Sequence, residues 1–491
     1  MTQPRRQVTK ACRNGHMAAA GKFVSVETML DAAHWTARLT ELARRAGVPG
    51  AVLGIWADGQ EVLAACGVLS GATAVPVTFD SLFQVGSITK IWTATMIMQL
   101  VDEGRLSLDT TVSQVLPGAR LGAADVGDQV TVQHLLTHTS GIDGDIFTDT
   151  GRGDDCVQRY VGQLDRATSA FPPGGAYSYC NSGYVLLGRI IEVLDGRSWD
   201  ESLRMRLCLP LELTQTVTLP EKAILHRAAV GHDSRGGPVH VWGLPRSVGP
   251  AALITAAAHD LLAFARLHLD GGSTPDGQRL LSEASAADMQ QPRAAIPGFG
   301  SPGSPGSSGP SGSSGSAIGL GWRVDRWDGQ TIVGHDGDTI GQSAYLRINP
   351  EARVAVCLLT NSAKSAALYR ELFSEVFRAL AGITMPASPH PVGGRPGDLE
   401  RHAGRYERTS RRFDVSVRHG RLHMVLAMTG PLAALVGAEP EEVTLHPVDA
   451  SGTNFVCRSR EDEPWTPVSF GRLADHAPYV FLGGRVTPRV A

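Results

Sequence analysis

The chain has 491 residues, of which 42% are hydrophobic and 19% are charged, with a formal net charge of -3. Because a domain typically holds ~100–200 residues, this length predicts more than one unit, and we expect two. The slight negative charge provides no basic surface and argues against nucleic acid as a partner. No apolar run reaches the ~18 residues of a membrane span, and seven scattered cysteines are typical of a reducing compartment, so we expect a cytoplasmic protein with no membrane partner.

The N-terminal part alternates predicted helix and strand. Residues 1–27 hold polar and charged residues where a signal peptide would be apolar, so we expect a disordered leader. The spacing of apolar residues over 28–46 predicts an amphipathic helix. Asp58-Gly59 separates the β-prone runs 51–57 and 61–68, and such a dipeptide is a strong hairpin signal.

The middle of the chain is predicted to be mostly helix and loop. Ser87 directly precedes the helix-like run 91–101, and further helices are predicted over 184–194 and 258–269. The segment 142–175 is dense in Asp and Gly. This composition predicts surface loops beside a site, since function concentrates on loops.

A low-complexity segment and a proline-rich segment mark the C-terminal half. Residues 297–316 are almost wholly Gly, Ser and Pro, which predicts a flexible insertion without chemistry. Two predicted strands between 343 and 360 and a predicted helix over 366–381 follow it, so we place the insertion within one domain, 28–385. The crowding of proline then predicts a linker over 386–400.

The last segment, 401–491, has short apolar runs separated by turn residues. Strands are predicted over 413–417, 422–428, 443–445, 455–457, 468–470 and 479–482. Short strands at regular spacing are typical of a small antiparallel barrel. We find no catalytic constellation in this segment.

Ser87 and Lys90 form the first element of chemical interest. A serine at a helix N-terminus lies where free backbone N–H groups and the helix dipole stabilise developing negative charge. Lys90 follows three residues later on the same helix face, so its amine can approach the serine hydroxyl. Burial lowers the pKa of a lysine by several units and can make it a base. S-x-x-K alone is a common pattern, so it needs its structural context.

Two further motifs follow in a fixed order, Tyr179-x-Asn181 and His335-x-Gly337. Taken singly, each has an ordinary structural interpretation as a core tyrosine, a helix cap or a turn histidine. Together, the three motifs resemble the serine β-lactamase and penicillin-recognising superfamily. More narrowly, they resemble its class C β-lactamase-like branch, which includes DD-peptidases, D-aminopeptidases and family VIII carboxylesterases. The resemblance covers residues 30–382.

The resemblance implies an α+β fold, with an antiparallel sheet flanked by helices, an all-helical region, and a C-terminal barrel like the lipocalin-like modules of some relatives. It implies that Ser87 is the nucleophile of an acyl-enzyme, and that Lys90 and Tyr179 manage the proton, with the choice of base left open. Asn181 would hydrogen-bond the substrate or Lys90. The N–H groups of Ser87 and Asp338 would form the oxyanion hole.

The third motif departs from the pattern of the class C β-lactamases, which carry K-T-G where this chain has His335-Asp336-Gly337. Histidine is a weaker and pH-dependent cation, and the neighbouring acidic residues oppose a carboxylate. We therefore expect His335, Gly337 and Asp338 to contact the substrate, but with weak or no β-lactamase activity.

The leading interpretation is a serine hydrolase of small carboxylic esters or amides. Two alternatives stay open. One is a penicillin-binding-type thioesterase or peptide cyclase, since such relatives share the hydrolase-plus-barrel layout, and the other is a binding or sensor protein that is acylated at Ser87 without turnover. No H-E-x-x-H or C-x-x-C motif occurs, so we expect no metal and no cofactor. The oligomeric state is left open.

Overall fold

The computed structural model describes residues 30–490 apart from 123–124, 147, 299–314, 394–396, 430–438 and 462. The predicted leader 1–27 and most of the predicted insertion 297–316 lie outside the described residues. Within the described ranges, no helix is long and apolar enough to cross a membrane.

The strands up to residue 360 form a large sheet and a small one. Numbered along the chain, they are β1 (Gly50–Ala57), β2 (Gln60–Gly67), β3 (Phe83–Gln84), β4 (Thr216–Val217), β5 (Thr255–Ala256), β6 (Ala294–Ala295), β7 (Ala317–Ile318), β8 (Arg323–Trp327), β9 (Gln330–Asp338), β10 (Ser343–Asn349) and β11 (Val354–Thr360). The large sheet has the order β2-β1-β11-β10-β9-β8-β7-β6, and the small one has the order β3-β5-β4. All pairs in both sheets are antiparallel.

Most helices come between strands β2 and β6 in the sequence. They are α1 (Ala32–Ala46), α2 (Thr89–Asp102), α3 (Val112–Val115), α4 (Val132–Leu136), α5 (Cys156–Val161), α6 (Asn181–Asp195), α7 (Trp199–Leu203), α8 (Pro220–Ala223), α9 (Gly249–Ala252), α10 (Ala258–Leu269), α11 (Glu283–Met289) and α12 (Ala366–Ala381). A 3₁₀ turn over Gly86–Ile88 leads directly into α2.

The hairpin predicted at Asp58-Gly59 is confirmed. Strands β1 and β2 pair along their whole length, and Ala57 lies opposite Gln60, so the turn has two residues. Both turn residues have positive φ, 50° at Asp58 and 76° at Gly59. Asp and Gly tolerate this left-handed conformation, which matches the twist of the paired strands.

The large sheet is covered on both faces. Helices α1 and α12 pack on one face against side chains such as Leu53 and Ile55 of β1. Helix α10 packs on the other face, which receives Val52 of the same strand, and α2 and α6 contribute to the same hydrophobic core. Successive side chains of a strand point to opposite faces, and β11 is buried along its whole length as expected for a central strand covered on both faces. Every residue of α2 from Thr89 to Leu100 is buried, so this helix runs through the core.

The C-terminal strands form a closed antiparallel barrel. They are β12 (Gly404–Arg408), β13 (Arg411–Arg418), β14 (Arg421–Met428), β15 (Glu441–Pro447), β16 (Asn454–Cys457), β17 (Thr466–Arg472), β18 (Pro478–Leu482) and β19 (Arg485–Pro488). Each strand pairs with the next. The first and last meet through the bridge between Tyr406 and Arg489 and the bond from Val490 N–H to Arg405 O. The predicted barrel is therefore confirmed, with β12 and β19 as additional strands that close it.

The barrel packs against the larger unit through a small apolar cluster. Phe481 and Val486 of the barrel meet Phe171, Tyr177 and Ile318, and all five are buried. The contact places the hairpin between β18 and β19 beside the segment that precedes α6.

The third motif is part of a strand, and one local prediction is wrong in its extent. β9 continues through residues 334–338, and Asp338 still pairs with Ser343 of β10. The segment 142–175, expected to be surface loop, contains α5, whose residues Val157 and Tyr160 are buried in the core.

Candidate active site

Ser87 lies in the 3₁₀ turn at the start of α2 and lines a cavity between the two units. The turn needs glycine at position 86, where φ is +53° and a Cβ would lie 2.7 Å from Asp338 N. The side chain of Ser87 is half-buried, whereas those of its neighbours Val85 and Ile88 are fully buried. The fold thus places the Ser87 hydroxyl at the N-terminus of α2, where it faces the cavity.

Lys90 is fully buried one helical turn beyond Ser87. Its Nζ lies 3.1 Å from Ser87 Oγ and donates to Asn181 Oδ1 at 2.8 Å and to the carbonyl oxygen of Ala251 at 2.9 Å. Burial is the main reason that the pKa of the Lys90 ammonium is well below its ordinary value. An uncharged amine beside a serine hydroxyl can accept its proton.

Tyr179 lies across from Lys90, whose Nζ is 4.7 Å from the centre of its ring. Burial raises the pKa of the phenol well above its ordinary value, and a contact with Ser87 opposes this in part. The hydroxyl is buried and, among the described residues, has no hydrogen-bond partner of normal geometry. The phenol is therefore protonated at neutral pH and is available as a hydrogen-bond donor.

The Tyr179 segment is held from two sides. On one side, His138 accepts from Cys180 N–H through Nδ1 at 3.0 Å and from Ser178 N–H through its carbonyl oxygen at 2.9 Å. On the other side, Tyr179 N–H donates to the carbonyl oxygen of Gly484 in the barrel at 2.9 Å. Both units of the chain therefore position the tyrosine.

Asn181 begins α6 and connects Lys90 to a buried carboxylate. Its Nδ2 donates to Asp145 Oδ1 at 3.1 Å, while its Oδ1 accepts from Lys90. Two arginines of the barrel bind the same carboxylate: Arg485 Nη2 lies 2.8 Å from Oδ1, and Arg408 Nη1 lies 3.1 Å from Oδ2.

The end of β9 lies directly against the turn that holds Ser87. A Cβ on Gly337 would be 1.9 Å from the carbonyl oxygen of Val85 and 3.0 Å from Ser87 N, so only glycine permits this approach. The backbones of Ser87 and Asp338 are thus neighbours, as an oxyanion hole made of their two N–H groups requires. The side chain of Asp338 accepts from Ser343 Oγ at 2.7 Å.

His335 is 8% exposed and lies near Tyr179, with 6.1 Å between the ring centres. Burial and the neighbouring Lys90 lower its pKa to about 4, so the imidazole is neutral at pH 7. Its Nδ1 lies 2.5 Å from the carbonyl oxygen of Asp336. The Asp336 carboxylate is paired with Arg347 at 2.7 Å. Position 335 therefore offers a hydrogen bond instead of a positive charge.

Five of the site residues line one cavity of about 830 Å³: Ser87, Tyr179, Asn181, His335 and Asp338. Its wall includes Ser87, Tyr179 and His335 from the larger unit, and Phe481 and Arg485 from the barrel. The structure brings together all seven residues singled out in the sequence: Ser87, Lys90, Tyr179, Asn181, His335, Gly337 and Asp338.

Comparison with known proteins agrees with this geometry. The model of the family described as Beta-lactamase matches residues 35–381. The chain belongs to the β-lactamase family. A curated relative, penicillin-binding protein 4 of Amycolatopsis lactamdurans, is 45% identical over 384 residues, which cover 77% of this chain and 98% of the relative.

Two solved structures are also similar to this chain. SurE is 28% identical, with a TM-score of 0.73, over 94% of this chain and 99% of its own. A D-amino acid amidase from Ochrobactrum anthropi SV3 is 24% identical, with a TM-score of 0.57, over 71% of this chain and 97% of its own. The likeness to the amidase concerns the fold alone.

Sequence reasoning missed four residues of this site: His138, Asp145, Arg408 and Arg485. The sequence analysis found no catalytic constellation in the barrel segment, and it did not indicate that two barrel arginines reach Asp145. No local pattern marks these residues. The one usable signal was the Asp-rich segment 142–175, which was predicted to lie beside the site and does carry Asp145.

Proposed function

We propose that this chain is a serine hydrolase that forms an acyl-enzyme at Ser87 and hydrolyses small carboxylic esters or amides. The observation that carries the proposal is the Lys90 amine, fully buried and 3.1 Å from Ser87 Oγ. Such an amine can take the serine proton while Oγ attacks the carbonyl carbon of the substrate. The membership of the chain in a family of serine hydrolases supports the same reaction class.

The directions in which the pKa values of Lys90 and Tyr179 are shifted indicate the route of the proton in the reaction. Lys90, kept uncharged by burial, takes the Ser87 proton, and Tyr179, kept protonated by burial, gives its proton to the leaving group. Tyr179 then receives a proton from the Lys90 ammonium, so both groups end the acylation as they began it. The N–H groups of Ser87 and Asp338 stabilise the negative charge on the carbonyl oxygen. Water then attacks the acyl-enzyme and releases the acid.

The third motif supports an ester or amide substrate over a β-lactam. A neutral His335 supplies no positive charge for the carboxylate of a β-lactam at pH 7. We therefore propose weak or no β-lactamase activity. His335 instead contributes a polar contact to a substrate that lies along the end of β9.

A second candidate is a penicillin-binding-type thioesterase or peptide cyclase, in which an amine instead of water accepts the acyl group. One observation favours it. The cavity of about 830 Å³ suits a peptide-sized substrate better than a short ester. SurE was also solved with D-Leu, so we propose D-amino acid derivatives among the substrates of this chain.

The test compares the wild type with Ser87→Ala on p-nitrophenyl butyrate and on the p-nitroanilides of D-leucine and L-leucine. We expect turnover that vanishes in Ser87→Ala. Intact-protein mass spectrometry follows the acyl-enzyme, and a fluorescent penicillin is an additional labelling probe, since the 45% identical relative is named a penicillin-binding protein.

The outcomes separate the candidates. Hydrolysis that depends on Ser87 supports the first proposal, and formation of an amide when an amine is added supports the cyclase. A stable adduct at Ser87 without turnover indicates the sensor. Equal rates in the wild type and in Ser87→Ala would refute the acyl-enzyme.

A further inference from the structure

The barrel reaches the catalytic lysine through a chain of polar contacts. Arg485 of β19 lies 2.8 Å from Asp145 through Nη2 and 2.5 Å through Nε, and Arg408 of β12 lies 3.1 Å from the same carboxylate. Asp145 accepts from Asn181, and Asn181 accepts from Lys90. Four side chains thus connect the barrel surface to the amine that faces Ser87.

These contacts are shielded from solvent. The side chains of Asp145 and Arg408 are 10% and 8% exposed, and that of Arg485 is 21% exposed. Charges in such surroundings interact strongly because little water screens them. Within the described part of the chain, the ion pairs of Asp145 are with these two arginines, so its counter-charges come from the barrel.

Most other titratable groups around Lys90 are uncharged at neutral pH. They come from the loop after α4, the segment before α6, α6 itself and β9: His138, Tyr179, Cys180, Tyr184 and His335. Burial lowers the pKa of both histidines and raises the pKa of the thiol and the phenols. The charges that act on Lys90 are therefore those of Asp145 and Arg485.

Two further charged groups lie near Asp145 itself. Asp143 contacts Arg408 at 3.5 Å and accepts from Thr409 N–H, and Arg411 of β13 adds a positive charge nearby. Arg408 is therefore shared by two carboxylates, whereas the ion pair of Arg485 is with Asp145 alone, and its guanidinium also lies 5.0 Å from the centre of the Tyr179 ring. This makes Arg485 the better residue to change.

On the basis of the proposed function, we propose that Arg485 and Arg408 are positioning residues, whose ion pairs with Asp145 keep Lys90 in its uncharged, proton-accepting form. Without the two arginines, the buried carboxylate would be left with the Lys90 ammonium, one amide away, and Arg411 as the cations near it. Opposite charges in a buried site stabilise each other, so Lys90 would then hold its proton. The signs agree: Arg485 lowers the pKa of Lys90 and Asp145 raises it. Docking of the barrel thus adds to the burial that keeps the lysine a base.

The experiment measures covalent modification of the Ser87 hydroxyl against pH, because this modification does not require turnover. Wild type, Arg485→Gln, Asp145→Asn and the double variant react with a fluorophosphonate, in which serine oxygen displaces fluoride from phosphorus. Intact mass gives the rate between pH 5 and 9, and p-nitrophenyl butyrate gives kcat/KM over the same range. Arg418→Gln is the matched control, since it removes an exposed arginine paired with Glu442 elsewhere on the barrel.

We expect the acid limb of both profiles to move up by about one pH unit in Arg485→Gln and down in Asp145→Asn. The acid limb of the double variant should lie near that of the wild type. Arg485→Lys keeps the positive charge, so its limb should move much less than that of Arg485→Gln. Arg418→Gln should leave the limb in place. Arg408→Gln should move it in the same direction as Arg485→Gln, which keeps the test open if Arg485→Gln does not fold.

A uniform drop in rate with no displacement of the limb, or displacement in the same direction in Arg485→Gln and Asp145→Asn, would overturn this inference while leaving the acyl-enzyme intact. A wild type that is neither labelled at Ser87 nor active would overturn the proposed function, and this inference with it.

Discussion

Gly337→Ala tests whether the close approach of β9 to the Ser87 turn is needed for activity. The new Cβ would lie 1.9 Å from the carbonyl oxygen of Val85, and an ordinary contact begins near 3.4 Å. The two backbones must therefore separate by the difference, about 1.5 Å. Such a shift removes Asp338 N–H from hydrogen-bond distance of an oxyanion held by Ser87 N–H.

The expected loss follows from the missing donor. Removing one oxyanion donor typically lowers kcat by about 10²–10³, and overpacking a well-filled region costs about 1–3 kcal/mol of stability. We expect kcat on p-nitrophenyl butyrate to fall at least a hundredfold, with a folded protein by circular dichroism. Gly118→Ala is the matched control, because neither glycine has positive φ and a Cβ at 118 meets nothing within 4 Å. A kcat for Gly337→Ala within threefold of the wild type would show that the spacing is not catalytic.

Lys90→Ala and Tyr179→Phe should each lower kcat by about 10²–10⁴, as expected for a lost proton acceptor or donor. Tyr179→Phe should melt at or above the wild-type temperature, since it removes a buried hydroxyl without a hydrogen bond of normal geometry among the described residues; near-normal rates in either variant would contradict the assignment. For His335, the folded pKa of about 4 lies below its ordinary 6.5, so the unfolded chain binds more protons between these values and stability falls as pH drops through this window. His335→Gln should remove about 2 kcal/mol of that loss in denaturant unfolding at pH 7 and pH 4.5, and equal losses in both proteins would show that His335 does not titrate this way.

The sequence by itself determined those parts of the protein that depend on neighbours in the chain. Ser87 and Lys90 are one helical turn apart, so their proximity follows from helix geometry alone, and the structure has their atoms 3.1 Å apart. The hairpin at Asp58-Gly59 likewise follows from two residues that accept left-handed backbone. The order of the three motifs was enough to indicate the family, and the family carries the fold.

Only the tertiary structure decided that the barrel belongs to the site. Arg408 and Arg485 lie on β12 and β19, the two strands that the sequence patterns did not reveal, because both strands are short, β12 is rich in charged residues and β19 ends in proline. Arg485 meets Asp145 across 340 positions of chain, and His138 meets Cys180 across 42. Local periodicity reports which face of an element is apolar, but it contains no information on which distant loops meet. The closure of the barrel and its apolar contact with the larger unit therefore determine the charges around Lys90.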